Sequence, residues 1–226
     1  MEIAVNGGTN NSAELGWVVY PAVFGDCDPH LFASAWSNGT WCGSYTGVGC
    51  NWVDNGAVAT NLGANLATTA ALCNGASLAC VKQFNLFWSN TACGAAADGW
   101  WVQYDGLSIG CFTPSAFTGT FHSAQRFQAF GEYYYSGATV PCGDMGNGKD
   151  PTLALGNTGP AYFGSVSLAS PSPSTLLTDL TANTSTAPAA FDVKLYVDVN
   201  GKHRTLATSG AGYTSTGTTP GNAGSC

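Results

Sequence analysis

The pattern of short apolar runs separated by turn-forming residues constrains the fold more than any other feature of this chain. Clusters of Gly, Asn, Ser, Asp and Pro lie between the runs. Such runs at regular spacing are typical of strands in all-β sandwiches and barrels. They cover Ile3–Val5, Leu15–Tyr20, Leu31–Trp36, Val81–Trp88, Trp100–Tyr104, Ser108–Phe112, Arg126–Tyr135, Tyr162–Leu168 and Phe191–Val199. The pattern therefore predicts an antiparallel, all-β fold.

Few residues of the chain are charged. Of its 226 residues 13 are acidic and 6 are basic, which is 8% of the sequence where about 25% is typical. Helical bundles and coiled coils need more charged residues than this on their surfaces. The net charge of −7 and the scattered Lys and Arg exclude a basic surface for nucleic acid or for an anionic membrane. We therefore expect neither of these partners.

The length of the chain suits one sizeable domain or two small ones. Residues 169–190 are rich in Ser, Thr and Pro and are typical of a long surface loop or a linker. Because a strand pattern resumes at Phe191, we expect a single domain over residues 1–226 with a surface loop at 169–190.

The nine cysteines indicate disulfides rather than a metal site. They form no CxxC pair, and the three histidines lie far apart, so the spacing of a zinc site is absent. The short separations of Cys42 from Cys50 and of Cys73 from Cys80 predict two bridges that close loops. We expect no metal and no cofactor. Disulfides suit an oxidising, extracellular setting, so we expect a secreted protein whose signal peptide has been removed.

A nucleophile motif and the histidines are interpreted as structural. The segment from Gly106 to Gly110 matches the G-x-S-x-G pattern around Ser108, which needs a strand before it and a helix after it. Pro114 would soon stop such a helix, so we predict a turn with Gly106 at its tip. His30 and His122 are expected at the surface.

Glutamate is rare in this chain and occupies unusual positions. Its three copies are Glu2, Glu14 and Glu132. Glu14 precedes the apolar run LGWVVYP, and Glu132 lies within the aromatic run AFGEYYYSG. Two half-buried carboxylates that lie close together suit general acid–base chemistry. The residues alone support a second interpretation equally well, in which each glutamate lies at a strand edge and faces water.

Six segments of the chain resemble segments of the neprosin family, in the same order. They are SAELGWVVYP at 12–21, WCGSYTGVGC at 41–50, GWWVQYDGLSIGCFTPSAF at 99–117, AFGEYYYSG at 129–137, DMGNGKDP at 144–151 and GYTSTGTTPGNAGSC at 212–226. The resemblance extends over nearly the whole chain. It implies an antiparallel β-sandwich of jelly-roll type.

The resemblance also implies the chemistry. Neprosins are glutamic peptidases that cleave after proline, and their two catalytic glutamates correspond to Glu14 and Glu132. In such a pair the ionised glutamate takes a proton from the attacking water, and the protonated one donates to the developing oxyanion. A pair that works while it holds one proton is active in acid. The resemblance does not assign the base and the acid. It implies a substrate that is a peptide or a protein, including proline-rich ones, and we expect the protein to be a monomer.

Strand parity predicts substrate contacts beside the two glutamates, since alternate residues of a strand share a face. Tyr20 shares the face of the first glutamate, and Gln128 and Tyr134 share the face of the second. Phe130 also shares the face of the second glutamate and is expected to narrow the groove there, where neprosins have smaller residues.

Two other functional classes remain open. A jelly-roll glycoside hydrolase would also use paired carboxylates and aromatic platforms. A carbohydrate-binding or cell-surface module without catalysis would use the aromatic residues alone. Trp100 and Trp101, and likewise Tyr133–Tyr135, place rings on both faces of a strand, where they either fill the core or line a substrate platform.

Overall fold

A computed structural model describes residues 2–26, 28–45, 49–56, 60–66, 82–130, 162–164, 180–182, 192–199 and 201–209. Contacts divide the chain into two compact units, Met1–Phe130 and Gly131–Cys226. The described strands of both units pair antiparallel, which confirms the predicted all-β fold. The predicted single domain stays a prediction, and nearly all of the predicted loop at 169–190 lies outside the described residues.

The strands of the first unit follow the predicted runs closely. The described ones are β1 (Glu2–Gly7), β2 (Asn11–Val18), β3 (His30–Ser37), β4 (Thr40–Ser44), β5 (Trp52–Asp54), β6 (Phe84–Ser89), β7 (Gly99–Tyr104), β8 (Leu107–Phe112) and β9 (Arg126–Phe130). A short helix α1, Pro21–Phe24, follows β2 and ends at Gly25, whose φ of 80° is left-handed. The sequence patterns missed β4, which contains Cys and Gly, and β5, which has only three residues.

The first sheet has the strand order β4-β3-β2-β1-β9. Residues alternate along its strands, so that one face is apolar and the other is polar. The apolar face is buried and forms half of the core, with Ile3, Val5, Ala13, Leu15, Leu31, Ala33 and Ala35. We call the opposite face, which carries Glu14, the polar face.

The second sheet has the order β5-β8-β7-β6, and β6 packs against β1 and β2 of the first sheet. These two sheets form a sandwich whose core includes Trp100, Val102 and Phe112. Asp105 and Gly106, with φ values of 52° and 81°, form the turn between β7 and β8. The predicted turn at Gly106 is therefore confirmed.

The second unit contains a three-stranded sheet in its described part. Its strands are β10 (Tyr162–Phe163), β11 (Asp192–Val197) and β12 (His203–Ser209), in the order β10-β12-β11. The described ranges include no helix that is long and apolar enough to cross a membrane.

Two disulfides are present in the described part of the first unit. The predicted bridge between Cys42 and Cys50 is confirmed, and it joins the middle of β4 to the segment that precedes β5. A second bridge joins Cys93 to Cys111 across 18 residues. Its spacing carries no local signal, because the two cysteines meet through the packing of a loop on β8. The predicted bridge between residues 73 and 80 lies outside the described residues.

Candidate functional site

Glu14 lies at the centre of the polar face, in a row of small side chains. The strand register aligns Gly43, Ser34, Glu14, Ala4 and Gln128 across all five strands. Residues that pair directly across strands project from the same face. Glu14 is flanked by serine on one side and alanine on the other, and both neighbours are buried. The first sheet therefore presents a half-buried carboxylate among small side chains.

Both oxygens of the Glu14 carboxylate accept hydrogen bonds from serine hydroxyls. Ser34 Oγ donates to Oε2 at 2.5 Å, and Ser12 Oγ donates to Oε1 at 3.2 Å. Ser34 is fully buried, so its hydroxyl has no competing contact with solvent. Hydrogen bonds donated to a carboxylate stabilise its ionised form. The two serines therefore orient the Glu14 carboxylate.

The Gln128 side chain has a defined orientation at the other end of the row. Its Oε1 accepts from Asn6 Nδ2 at 2.9 Å and from Arg126 Nη2 at 3.2 Å. A guanidinium can only donate, so the atom that faces it must be the oxygen of the amide. Gln128 Nε2 points away from these donors, and it has no partner within the described residues. It is therefore available to donate a hydrogen bond to a substrate carbonyl.

A polar cleft of about 570 Å³ opens beside Glu14. Amide side chains dominate its lining, together with one cation and one indole. The lining residues include Asn6, Asn10, Asn11, Ser12, Glu14, Trp36, Gln125 and Arg126. The cleft offers hydrogen-bonding groups on several sides, which suits a peptide backbone.

Aromatic rings cluster on the β3–β4 side of Glu14. The ring of Tyr45 lies 5.5–6.2 Å from those of Tyr20, Phe24, Phe32 and Trp41, and we call these five residues the aromatic cluster. Trp41 and Tyr20 are 43% and 41% exposed, which is high for side chains of this size. Trp41 pairs with Trp36, and Trp36 pairs with Ser12, so the exposed indole of the cluster lies on the same face as the Glu14 carboxylate.

His30 is buried at the edge of the aromatic cluster, where it pairs with the more exposed Asp26, so its predicted surface position is wrong. Its Nδ1 donates to Gly63 O at 2.8 Å and its Nε2 lies 2.9 Å from Asp26 Oδ1. Burial lowers the pKa of His30, but the bonds to Gly63 and Asp26 outweigh it and the net shift is upward. The same bond from His30, with one from the Asp28 backbone, lowers the pKa of Asp26. Both ring nitrogens face acceptors, so the imidazolium is the form that satisfies both contacts.

The predicted site residues fall into three groups. Glu14, Gln128 and Phe130 lie on the polar face, and the prediction that Gln128 and Phe130 share the face of the second glutamate stays a prediction. Tyr20 lies beyond the end of β2, so strand parity does not apply to it, yet its ring contacts Tyr45. Residues 132 and 134, the predicted second glutamate and a predicted substrate contact, lie outside the described residues.

The sequence interpretation missed several residues of this site. Ser12 is two residues from Glu14, so parity alone could have found it. Ser34 carries no local signal. Glu2 pairs with Gly16 and Phe130 in the register, which places it on the polar face one row from Glu14, and it is 6% exposed.

Trp100 and Trp101 do not contribute to this surface. Trp100 is a core residue whose Nε1 donates to Phe121 O. Trp101 lies on the outer face of the second sheet, where its Nε1 donates to Thr91 O. Within the described ranges, no group of three or more His, Cys, Asp or Glu side chains is arranged to hold a metal ion.

Comparison with known protein families gives a match over most of the chain. The sequence model of the Neprosin family matches residues 1–210. The matched range includes both predicted catalytic glutamates. No curated protein matches the chain.

Proposed function

The chain belongs to the neprosin family, which is associated with peptidase activity, and on that premise we propose that it is a glutamic endopeptidase active in acid that cleaves after proline. The carrying observation is the Glu14 carboxylate, half-buried on the polar face, with a serine hydroxyl bonded to each oxygen. The second carboxylate of the proposed pair is Glu132. By the family resemblance, Glu132 corresponds to the second catalytic glutamate of the neprosins.

The hydrogen bonds of Glu14 support its role as the base. An ionised carboxylate accepts a proton from a water molecule, and the resulting hydroxide equivalent attacks the scissile carbonyl carbon. Glu132, protonated, donates to the oxygen that becomes negative and then supplies the proton that the leaving amine needs. Gln128 Nε2 is a second donor for a substrate carbonyl. The pair thus gains one proton from water and loses one to the amine, and transfer of the proton from Glu14 to Glu132 restores the starting state.

The aromatic cluster supports a preference for an apolar residue near the scissile bond. A proline ring packs well on exposed indole and phenol faces, and Trp41 and Tyr20 present such faces within the cluster. The amide-rich cleft would bind the peptide backbone on the other side. The proposed substrates are peptides or proteins that contain proline, cleaved by a monomer with no nucleic-acid or membrane partner.

The disulfides suggest an extracellular protein, because such bridges persist in oxidising compartments. We propose that the protein is secreted. Acid activity is consistent with the low charge of the chain, since few ion pairs are lost on acidification.

The test is the pH profile of cleavage of a proline-containing fluorogenic peptide. Glu14→Gln and Glu132→Gln should each lower kcat by about 10²–10⁴-fold, the range of general acid–base catalysis. Asp54→Asn, which removes an exposed carboxylate from the second sheet, is the matched control and should retain activity. Hydrolysis at the wild-type rate in either glutamine variant would overturn the assignment of the pair.

A polysaccharide assayed at the same acid pH separates the alternative classes. Cleavage of the polysaccharide in place of the peptide would support a glycoside hydrolase. Binding that survives both glutamine substitutions, with no turnover of either substrate, would support a carbohydrate-binding module.

A further inference from the structure

Arg126 is an exposed cation at the polar cleft. It is the one arginine of the first unit, whose other Lys or Arg is Lys82. Lys82 is paired with Asp105, its Nζ lying 2.8 Å from the carboxylate. The guanidinium of Arg126 donates to Gln128 Oε1, and no carboxylate forms an ion pair with it in the described part of the chain. Among the described residues, the other donors of Arg126 have no partner and can bind a ligand at the cleft.

The groups around Arg126 suit a bound anion better than a second cation. The cleft contains the amide groups of Asn6, Asn10 and Gln125, which are donors as well as acceptors. Trp36 forms an apolar wall. A guanidinium binds a carboxylate through two parallel N–H···O bonds, which fix the relative orientation of the two groups and strengthen the contact.

The register sets the distance from Arg126 to the proposed catalytic carboxylate. Arg126 pairs with Asn6, and Asn6 pairs with Ser12, two residues before Glu14. Two strand spacings and two residues along a strand separate the two Cα atoms by about 12 Å. An extended peptide covers that distance in three or four residues. A substrate that reacts at Glu14 therefore brings a side chain near Arg126 some two to four residues from the scissile bond.

Resting on the proposed peptidase function, we propose that Arg126 forms a subsite for a substrate carboxylate two to four residues from the scissile bond. The carboxylate is either an Asp or Glu side chain or the C-terminal carboxylate of a short peptide. The side chain or terminus must be ionised to be recognised. The preference is therefore present above the carboxylate's own pKa, about 3.3–4.3, and is lost below it.

The experiment compares pairs of fluorogenic peptides that differ at one position. Each pair has Asp or Asn at the second, third or fourth residue on either side of a single cleavage site. A further pair ends two or three residues after the site as a free acid or as an amide. In each pair we call the peptide with the carboxylate the acid and the peptide with the carboxamide the amide. The measured quantity is the kcat/KM of the acid divided by that of the amide, at pH 5.5 and at pH 3. It is measured for the wild type, Arg126→Gln, Arg126→Lys and Lys82→Gln.

At pH 5.5 the wild type should prefer the acid at one position by roughly three- to tenfold. This ratio lies between the typical effect of an exposed ion pair and that of a buried, charge-assisted hydrogen bond. The ratio should fall toward one at pH 3 and at high salt. Arg126→Gln should abolish the preference and Arg126→Lys should retain part of it. Lys82→Gln removes the same charge elsewhere and should keep the full ratio. A preference only in the free-acid pair assigns the C-terminal carboxylate as the ligand.

A purely structural role of Arg126 would change both members of a pair equally, so the ratio separates it from the proposed subsite. Ratios of one at every position in the wild type, or a preference that survives Arg126→Gln, would overturn the proposal. If no peptide is cleaved, the peptidase function fails and fluorescence anisotropy of the same peptides still tests the subsite. In that measurement, equal affinity for acid and amide overturns it, and tighter binding of the acid that depends on Arg126 supports it.

Discussion

Removing the Ser34 hydroxyl should weaken the proposed base without removing it. Ser34→Ala deletes the donor that lies 2.5 Å from Glu14 Oε2, at a position with no exposed surface. A hydrogen bond to a charged group contributes about 1.5–3 kcal/mol, and this bond is short and shielded from water. Water cannot readily replace the lost donor. The ionised form of Glu14 is therefore stabilised less in the variant.

The loss converts to a rate through the proposed mechanism. If the full contribution acts on the reactive ionised state, kcat/KM falls by about 10- to 150-fold. The acidic limb of the activity profile should move to higher pH, because the carboxylate takes up a proton more readily. Ser12→Ala deletes the longer bond, at 3.2 Å, and should have the smaller effect.

The assay is kcat/KM for a proline-containing fluorogenic peptide between about pH 3 and pH 7, with thermal unfolding measured in parallel. Ser37→Ala is the matched control, since Ser37 lies on the same strand and its exposed hydroxyl bonds to Thr118 instead of Glu14. A folded Ser34→Ala protein with the wild-type profile would refute the inference that this hydroxyl controls the charge of Glu14.

Two further predictions concern the surroundings of the site. Gly43→Ala should raise KM for proline-containing peptides by about two- to tenfold. The reason is that a Cβ at Gly43 would overlap the Trp41 indole and displace it from the aromatic cluster. Steady-state kinetics measure the KM, and tryptophan fluorescence measures the displacement. The ion pair of His30 and Asp26 should stabilise the fold most between the ordinary pKa values of 3.8 for Asp and 6.5 for His. Its contribution is lost as the pH rises through the raised pKa of His30 and as it falls through the lowered pKa of Asp26; thermal unfolding at a series of pH values measures this.

Both predictions have controls. Trp41→Ala should reproduce the rise in KM without a steric overlap, and an unchanged KM and fluorescence in Gly43→Ala would contradict the first prediction. Asp26→Asn should flatten the pH dependence of unfolding above pH 6.5, whereas Asp105→Asn, which breaks the exposed pair with Lys82, should leave it intact. A wild-type pH dependence in Asp26→Asn would contradict the second.

Local patterns were sufficient for the strands and for the isolation of Glu14. Alternation in the run around Leu15 places apolar and polar side chains on opposite faces, and this depends on neighbours only two residues away. The loop between Cys42 and Cys50 is short enough for the bridge to follow from spacing. The end of β2 was missed because Pro21 starts a helical turn, which draws Tyr20 out of the strand.

The sequence by itself determined the all-β class, the family and the scarcity of glutamate that singles out Glu14. Only the tertiary structure decided what that carboxylate contacts. Ser34 reaches Glu14 through the register of two strands, and Gln128 meets Asn6 across 122 residues of sequence. Register and sheet order depend on how all the strands pack together, and no short segment carries that information. The hydrogen bonds of the proposed base and the position of Arg126 at the cleft are therefore properties of the folded sheet.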